Sequence, residues 1–173
     1  RITSIRTDAA PDPGSRRLHG LVIPGIANAH SHAFHRALRG RTQRDRGSFW
    51  TWRDLMYRVA DRLDPDHYRA LARAVYAEMA MAGITSVGEF HYLHHDAGGR
   101  RYADPNAMGH ALIDGAADAG VRLTLLDTCY LSSAPNGAPL DNGPQLRFGD
   151  GSATSWAERV EALYRQTQST PGV

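Results

Sequence analysis

The chain has 173 residues, of which 42% are hydrophobic and 22% are charged, and this length and composition predict one globular domain with a sizeable core. No apolar run approaches the roughly 20 residues that cross a bilayer, so we expect neither a transmembrane helix nor a membrane partner. The net charge of +2 is too small to indicate nucleic acid, and all 20 basic residues are Arg, which excludes a catalytic or phosphate-binding lysine within these residues.

Two short β-prone runs near the start of the chain flank Pro24-Gly25. Because proline and glycine interrupt strands, LHGLVI (18–23) and GIANAH (25–30) are predicted as separate strands. Residues 48–63 then show apolar side chains at helical spacing, which predicts the first helix.

A second helix and another strand follow directly. Asp64 and Pro65 supply an N-cap and a proline at the first helical position, which predicts a helix from Pro65 to the terminating Gly83. The β-branched run ITSVGEF, residues 84–90, is typical of a strand.

The remaining residues repeat this pattern. Asp104-Pro105 is predicted to open a helix through Ala119, and VRLTLLDTCY (121–130) is predicted as a buried strand. The sequence SWAE, Ser155–Glu158, is predicted as the capping box of a final helix. Strands that alternate with helices are typical of an α/β fold with a parallel sheet, here of three βα units.

Two histidines stand at the carboxyl end of the strand 25–30. Residues two apart in a strand point to the same face, so His30 and His32, the histidine pair, are expected to present their imidazoles side by side. Parallel α/β folds bind ligands beyond the carboxyl ends of their strands, and imidazole is a ligand of zinc, iron and nickel. The spacing favours a metal site, with two ordinary loop histidines as the alternative.

A second polar cluster, GEFHYLHHD (88–96), follows the next strand. His91 and Tyr92 continue the strand directly, so we expect both to point toward the same pocket as the histidine pair. His94 and His95 are expected to be solvent-exposed loop residues.

Arginine supplies the positive charge near these residues. The stretch 36–47 is expected to be a solvated Arg-rich loop, with a loop that closes over an anionic substrate as the alternative. Arg53 lies among Trp50 and Trp52, where it is either a surface residue or a clamp for a substrate carboxylate.

Five segments of the chain together match one known family: PGIANAHSHAFHRALRG, SFWTWRDLMYR, AGITSVGEFHYLHHD, YADP and RLTLLDTCY. Through them the chain resembles the N-formimino-L-glutamate deiminases of bacterial histidine degradation, which belong to the amidohydrolase superfamily. It implies the N-terminal part of a (β/α)8 TIM-type barrel in residues 24–173, preceded in residues 1–23 by a short β segment of a small β-sandwich domain. It also implies a small-molecule substrate and the zinc-dependent hydrolysis of a formimino group to N-formyl-L-glutamate and ammonia.

The resemblance implies roles for five residues. His30 and His32 match the first two zinc ligands, and Arg53 and Tyr92 match positions that contact the substrate. His35 stands where the family typically has a substrate-contacting Gln, and we expect its imidazole to hydrogen-bond in the same place. The other metal ligands and the catalytic histidine of the family come from later strands, so no catalytic residue is expected within this chain, which alone is expected to be inactive.

Two other interpretations stay open. One is a related deaminase that acts on another amidine or a purine-like substrate, an interpretation that His35 favours. The other is a truncated, non-catalytic fragment, whose open sheet predicts poor solubility or self-association.

The first residues lack a signal-peptide core and an initiator Met, which predicts a longer reading frame. The single cysteine, Cys129, indicates a reducing, cytoplasmic compartment, and the resemblance admits a homodimer.

Overall fold

The computed structural model describes residues 4–42, 47–140 and 143–173. Within these ranges the strands and α-helices are β1 (Ile26–Ser31), α1 (Phe49–Ala60), α2 (Pro65–Met81), β2 (Ile84–His91), α3 (Ala107–Ala119), β3 (Arg122–Asp127) and α4 (Ala153–Thr167). Short 3-10 helices cover Ala33–Leu38, Ala97–Gly99 and Gly143–Arg147. Residues 43–46 of the predicted Arg-rich loop lie outside the described residues. Every helix in the described ranges is too short or too polar to cross a membrane.

The three strands form one parallel sheet in the order β1-β2-β3. Ser31 of β1 pairs with Glu89 of β2, and His91 of β2 pairs with Asp127 of β3. Parallel pairing therefore brings the carboxyl ends of all three strands to one edge, which is where α/β folds bind their ligands. The predicted α/β class with a parallel sheet is confirmed.

The first two helices form where the sequence predicts them. The Ser48 hydroxyl accepts a hydrogen bond from the Thr51 amide at 3.3 Å, and the Thr51 hydroxyl accepts one from the Ser48 amide at 2.9 Å, which together cap α1. The Asp64 carboxylate accepts from the His67 amide at 2.8 Å and caps α2 as predicted. Gly83 follows the end of α2 with φ +85°, a left-handed conformation that favours glycine.

Two predicted helix starts are wrong. α3 begins after Asn106 rather than at Pro105, because the Asp104 carboxylate accepts a hydrogen bond from the Asn106 amide, 2.9 Å away, and holds this segment as a turn. α4 begins after Ser152 rather than Ser155, because the Ser152 hydroxyl accepts from the Ser155 amide at 3.0 Å and caps the helix one turn earlier. In both cases a short polar side chain binds a nearby backbone amide that the pattern alone does not identify.

The predicted strand at residues 18–23 is not formed. This segment of the described chain is irregular and exposed to solvent, with Leu21 92% exposed. A strand is stabilised by hydrogen bonds to a neighbouring strand, and the sheet of the described residues contains only β1, β2 and β3. The assignment of residues 1–23 to a separate β-sandwich domain therefore stays a prediction.

The core lies between the sheet and the layer formed by α2 and α3. Val87 and Leu123 of the sheet are buried there, whereas Leu126, on the other face of β3, is exposed. The prediction of a buried third strand therefore holds for the face that carries Leu123 and is wrong for the face that carries Leu126, which no helix of the described residues covers. α2 and α3 approach closely at Gly115, where an added Cβ would lie 3.0 Å from the backbone nitrogen of Arg73.

Candidate metal centre and active site

The histidine pair lies at the carboxyl end of β1, at the edge where the sequence predicts it. The Nε2 atoms of His30 and His32 are 3.0 Å apart. Two imidazole nitrogens that bind one tetrahedral zinc ion at about 2.0–2.1 Å are themselves separated by about 3.3 Å. The two side chains are thus already placed to share an ion, and the donor set fits zinc.

His32 is held in the tautomer that metal binding requires. Its Nδ1 lies 3.2 Å from the carbonyl oxygen of Phe90 in β2, so Nδ1–H donates to this oxygen and Nε2 keeps its lone pair. Burial lowers the pKa of His32, and the neighbouring His30 lowers it further. His32 is therefore neutral at pH 7, which is the form that ligates a metal ion.

His35 and Tyr92 lie directly beside the histidine pair. The rings of His35 and His32 stack with their centroids 4.6 Å apart, and Nε2 of His35 is 2.8 Å from the hydroxyl oxygen of Tyr92. Burial lowers the pKa of His35 to about 4, with further lowering by His32 and His30. Four of the five predicted site residues thus form one contiguous cluster, which we call the histidine–tyrosine cluster: His30, His32, His35 and Tyr92.

Arg53, the fifth predicted site residue, lies on α1. This helix packs on the histidine–tyrosine cluster through the ring of Trp52 and the sulfur of Met56. The guanidinium carbon of Arg53 is 4.5 Å from the ring centroid of Trp50 and 5.5 Å from that of Tyr57. Its Nε is buried and has no hydrogen-bond partner within the described ranges. The aromatic rings thus hold a guanidinium with a free donor, which suits a carboxylate.

His91 does not point to the pocket, contrary to the prediction. Successive strand residues face opposite sides of a sheet. Phe90 faces the histidine pair, with its ring centroid 5.2 Å from that of His32, so His91 faces the other way, toward Tyr68 of α2.

His94 and His95 are buried rather than exposed, so this prediction is wrong as well. They are 1% and 2% exposed. Nε2 of His94 lies 3.1 Å from the carbonyl oxygen of Thr128, and Nε2 of His95 lies 3.2 Å from the carboxylate of Asp150. Both partners lie far along the chain, on segments that fold over the end of β2, and the local sequence carries no signal of this contact.

A buried ion network links these histidines to α4. Nη2 of Arg159 lies 2.9 Å from a carboxylate oxygen of Asp127 and 2.9 Å from one of Asp150. Burial raises the pKa of Asp127, but the hydrogen bonds from Arg159 and the electrostatic interactions with His94, His91 and Arg159 together outweigh it, so this pKa lies below its usual value. Asp127 ends a predicted strand, and this position could have identified it from the sequence as a residue at the ligand-binding edge. Arg159 lies within a predicted helix, and the helical pattern does not indicate that it is buried.

Three residues of this region have the spacing of a metal site. Ligand atoms of His91, His94 and Asp127 all lie within 4.8 Å of one another. Both carboxylate oxygens of Asp127, however, already accept hydrogen bonds from Arg159, at 2.9 Å each. The positive charge of Arg159 also opposes a second cation at this place. We therefore interpret this group as part of the ion network and the histidine pair as the candidate metal centre.

The fold and the placement of the histidine pair define a class of protein. The chain belongs to the amidohydrolase family, whose sequence model matches residues 21–164. Formimidoylglutamate deiminase from Pseudomonas aeruginosa is 46% identical to it over 154 residues, which are 87% of this chain and 34% of that protein. The 8-oxoguanine deaminase of the same species is 27% identical over 73 residues, which are 42% of this chain and 16% of that protein.

Solved structures share the fold. An amidohydrolase from Brucella melitensis superposes with a TM-score of 0.80 at 38% sequence identity, covering 87% of this chain and 34% of that one. Atrazine chlorohydrolase from Arthrobacter aurescens, solved as a complex with zinc, superposes with a TM-score of 0.65 at 22% identity and covers 83% of this chain and 30% of that one. The chain therefore spans about one third of the length of these relatives.

Proposed function

We propose that the full-length protein is a zinc-dependent deiminase that hydrolyses N-formimino-L-glutamate to N-formyl-L-glutamate and ammonia in histidine degradation. The observation that carries this proposal is the convergence of His30 and His32, whose Nε2 atoms are 3.0 Å apart at the ligand-binding edge of the sheet. The 46% identity to formimidoylglutamate deiminase supports the choice of substrate. The activity belongs to the whole protein, since this chain spans 34% of that relative.

The three strands and their helices are, in this proposal, the first part of a (β/α)8 barrel in residues 24–173. The parallel order β1-β2-β3 and the location of the histidine pair at the carboxyl edge support it, because barrel enzymes build their active sites at that edge. Residues 1–23 contribute a segment of a small β-sandwich domain, and the protein acts in the cytoplasm.

His30 and His32 would hold the metal, and the carbonyl oxygen of Phe90, which accepts a hydrogen bond from Nδ1 of His32, would fix the orientation of that ring. When bound, zinc lowers the pKa of water toward ~7 and so supplies a nucleophile at neutral pH. Overall, water adds to the formimino carbon, the bond from this carbon to the terminal nitrogen breaks, and the nitrogen leaves as ammonia. The proton transfers are assigned to residues outside this chain.

Arg53 and the histidine–tyrosine cluster bind the substrate. The guanidinium of Arg53, held by Trp50 and Tyr57, donates to a carboxylate of the glutamate part. The Tyr92 hydroxyl and the His35 ring provide a further polar contact on the side of the cluster that adjoins His32. By fixing the glutamate part, these residues would place the formimino carbon beside the histidine pair.

Ammonia release from N-formimino-L-glutamate by the zinc-loaded, full-length protein tests this proposal. We expect turnover, and we expect none from His30→Ala or from the 173-residue chain alone. The second candidate is a deaminase for another amidine or a purine-like substrate, which the unusual His35 favours. A substrate panel separates the two, because that candidate predicts turnover of a purine or a neutral amidine and none of N-formimino-L-glutamate.

A further inference from the structure

Glu89 of β2 is a fully buried carboxylate that the proposed mechanism does not use. It is 0% exposed, and it pairs in the sheet with Ser31, the residue between the two histidines of the pair. His30 and His32 lie at the ligand-binding edge, whereas Ser31 and Glu89 are buried on the side of the helices. The carboxylate therefore lies beneath the candidate metal centre.

One hydrogen bond connects Glu89 to the turn that carries the histidines. Its Oε1 accepts from the backbone amide of Ala33 at 2.6 Å. Ala33 follows His32 directly and opens the 3-10 helix that carries His35. The bond thus fixes the point where the chain leaves β1, and with it the direction in which the His32 imidazole leaves the backbone.

The burial of Glu89 is costly for the fold. The hydroxyls of Tyr68 and Tyr76 in α2 lie near the carboxylate, but no cation of the described residues is bonded to it. Moving a carboxylate from water into the interior of a protein costs free energy even where it accepts hydrogen bonds. An apolar residue of similar length would avoid this cost but would leave the Ala33 amide without its acceptor, so the contact that the carboxylate provides is the one to this amide.

We propose that Glu89 is the positioning residue of the metal centre, which it serves by holding the Ala33 amide so that His30 and His32 converge on one ion. This inference rests on the proposed function, because it takes the histidine pair as metal ligands. Removal of a residue that orients metal ligands through hydrogen bonds typically weakens metal binding by about 10–100-fold.

Zinc affinity of the full-length protein, measured by competition with a chromophoric chelator, tests the inference. Glu89→Met keeps the length of the side chain but removes the acceptor, and we expect it to weaken zinc binding by about tenfold or more. Glu89→Gln keeps an acceptor oxygen for the Ala33 amide, and we expect it to restore zinc affinity to within about threefold of the original. Glu78→Met, at an exposed carboxylate that pairs with Arg36, is the matched control and should leave the affinity unchanged.

Hydrogen exchange of the Ala33 amide in the metal-free protein provides a second readout. We expect faster exchange in Glu89→Met and unchanged exchange in Glu89→Gln, because only the first loses the bond at Oε1. If Glu89→Met does not fold, Glu89→Asp takes its place, since the shorter side chain draws the oxygen away from the amide.

His30→Ala separates the two proposals. If it abolishes zinc binding while Glu89→Met binds zinc as tightly as the original protein, the positioning role of Glu89 is wrong and the metal centre stands. If zinc binding survives in His30→Ala itself, the metal centre is wrong, and the role of Glu89 is wrong with it.

Discussion

The hydroxyl of Tyr92 and the Nε2 atom of His35 lie 2.8 Å apart and join two elements of the candidate site. Tyr92 follows β2, and His35 lies in the 3-10 helix after β1, with its ring stacked on that of His32. Because each side chain is the hydrogen-bond partner of the other, neither position is independent. Comparing the single variants of Tyr92 and His35 with the double variant therefore tests whether the two side chains act on the substrate together.

Tyr92→Phe and His35→Leu are each expected to lower kcat/KM for N-formimino-L-glutamate by about tenfold to a hundredfold, the effect of losing a hydrogen bond to a charged group. The double variant should lose much less than the product of the two, because either change already breaks the shared bond. His35→Gln, which retains a donor and an acceptor, should stay within about threefold. Fully multiplicative losses in the double variant would show that the two side chains act separately.

Arg53→Met is expected to raise KM for N-formimino-L-glutamate by about tenfold or more and to lower kcat as well, because the guanidinium binds the substrate carboxylate and thereby positions the reacting carbon. Steady-state kinetics of ammonia release measure both parameters. Arg58→Met, at an exposed arginine of the same helix, is the matched control. An unchanged KM in Arg53→Met would remove Arg53 from the substrate site.

Arg159→Met is expected to destabilise the protein by about 3–5 kcal/mol, because it removes the guanidinium that pairs with the buried carboxylates of both Asp127 and Asp150. Urea denaturation followed by circular dichroism measures the change. Arg165→Met removes an exposed arginine that pairs with Glu161, and this control should cost less than about 1 kcal/mol. Equal losses in the two variants would contradict the structural role of the ion network.

Stability is expected to fall as the pH drops from about 6.5 toward about 3. Burial lowers the pKa of His91 to about 3 and that of His94 to about 4. In this range the unfolded histidines, with an ordinary pKa of about 6.5, bind protons that the folded ones do not, so acid favours unfolding. Asp127 has a folded pKa below its usual value and adds a loss at the acid end of the range.

The melting temperature measured between pH 8 and pH 4 tests this dependence. His94→Gln removes one of the histidines whose pKa is lowered in the folded protein, so the slope between pH 6.5 and pH 4 should become shallower in this variant. A slope that is identical in both proteins would show that His94 does not contribute.

The sequence predicts the elements of this fold well, because helix and strand patterns are local. Asp64 before Pro65 and the glycine at position 83 mark both ends of α2, and the structure confirms them. The spacing of two residues likewise places His30 and His32 side by side, since it depends only on the geometry of one strand.

What the sequence does not predict depends on contacts between distant segments. His94 and His95 are buried because Thr128 and Asp150 bond to them, and nothing in the run HYLHHD indicates those partners. The guanidinium of Arg147 is a further example. It is fully buried and donates to the carbonyl oxygens of Leu63 and His95 at 2.6 and 2.7 Å, which ties the segment after α1 to the segment after β2.

The most direct test of the proposed function is a single pair of assays on the full-length protein and its His30→Ala variant. Zinc content is measured by elemental analysis, and ammonia release from N-formimino-L-glutamate is measured on the same samples. We predict stoichiometric zinc and turnover in the original protein and neither in the variant. Bound zinc and normal turnover in His30→Ala would contradict the assignment of the histidine pair, and bound zinc without turnover in the original protein would contradict the substrate.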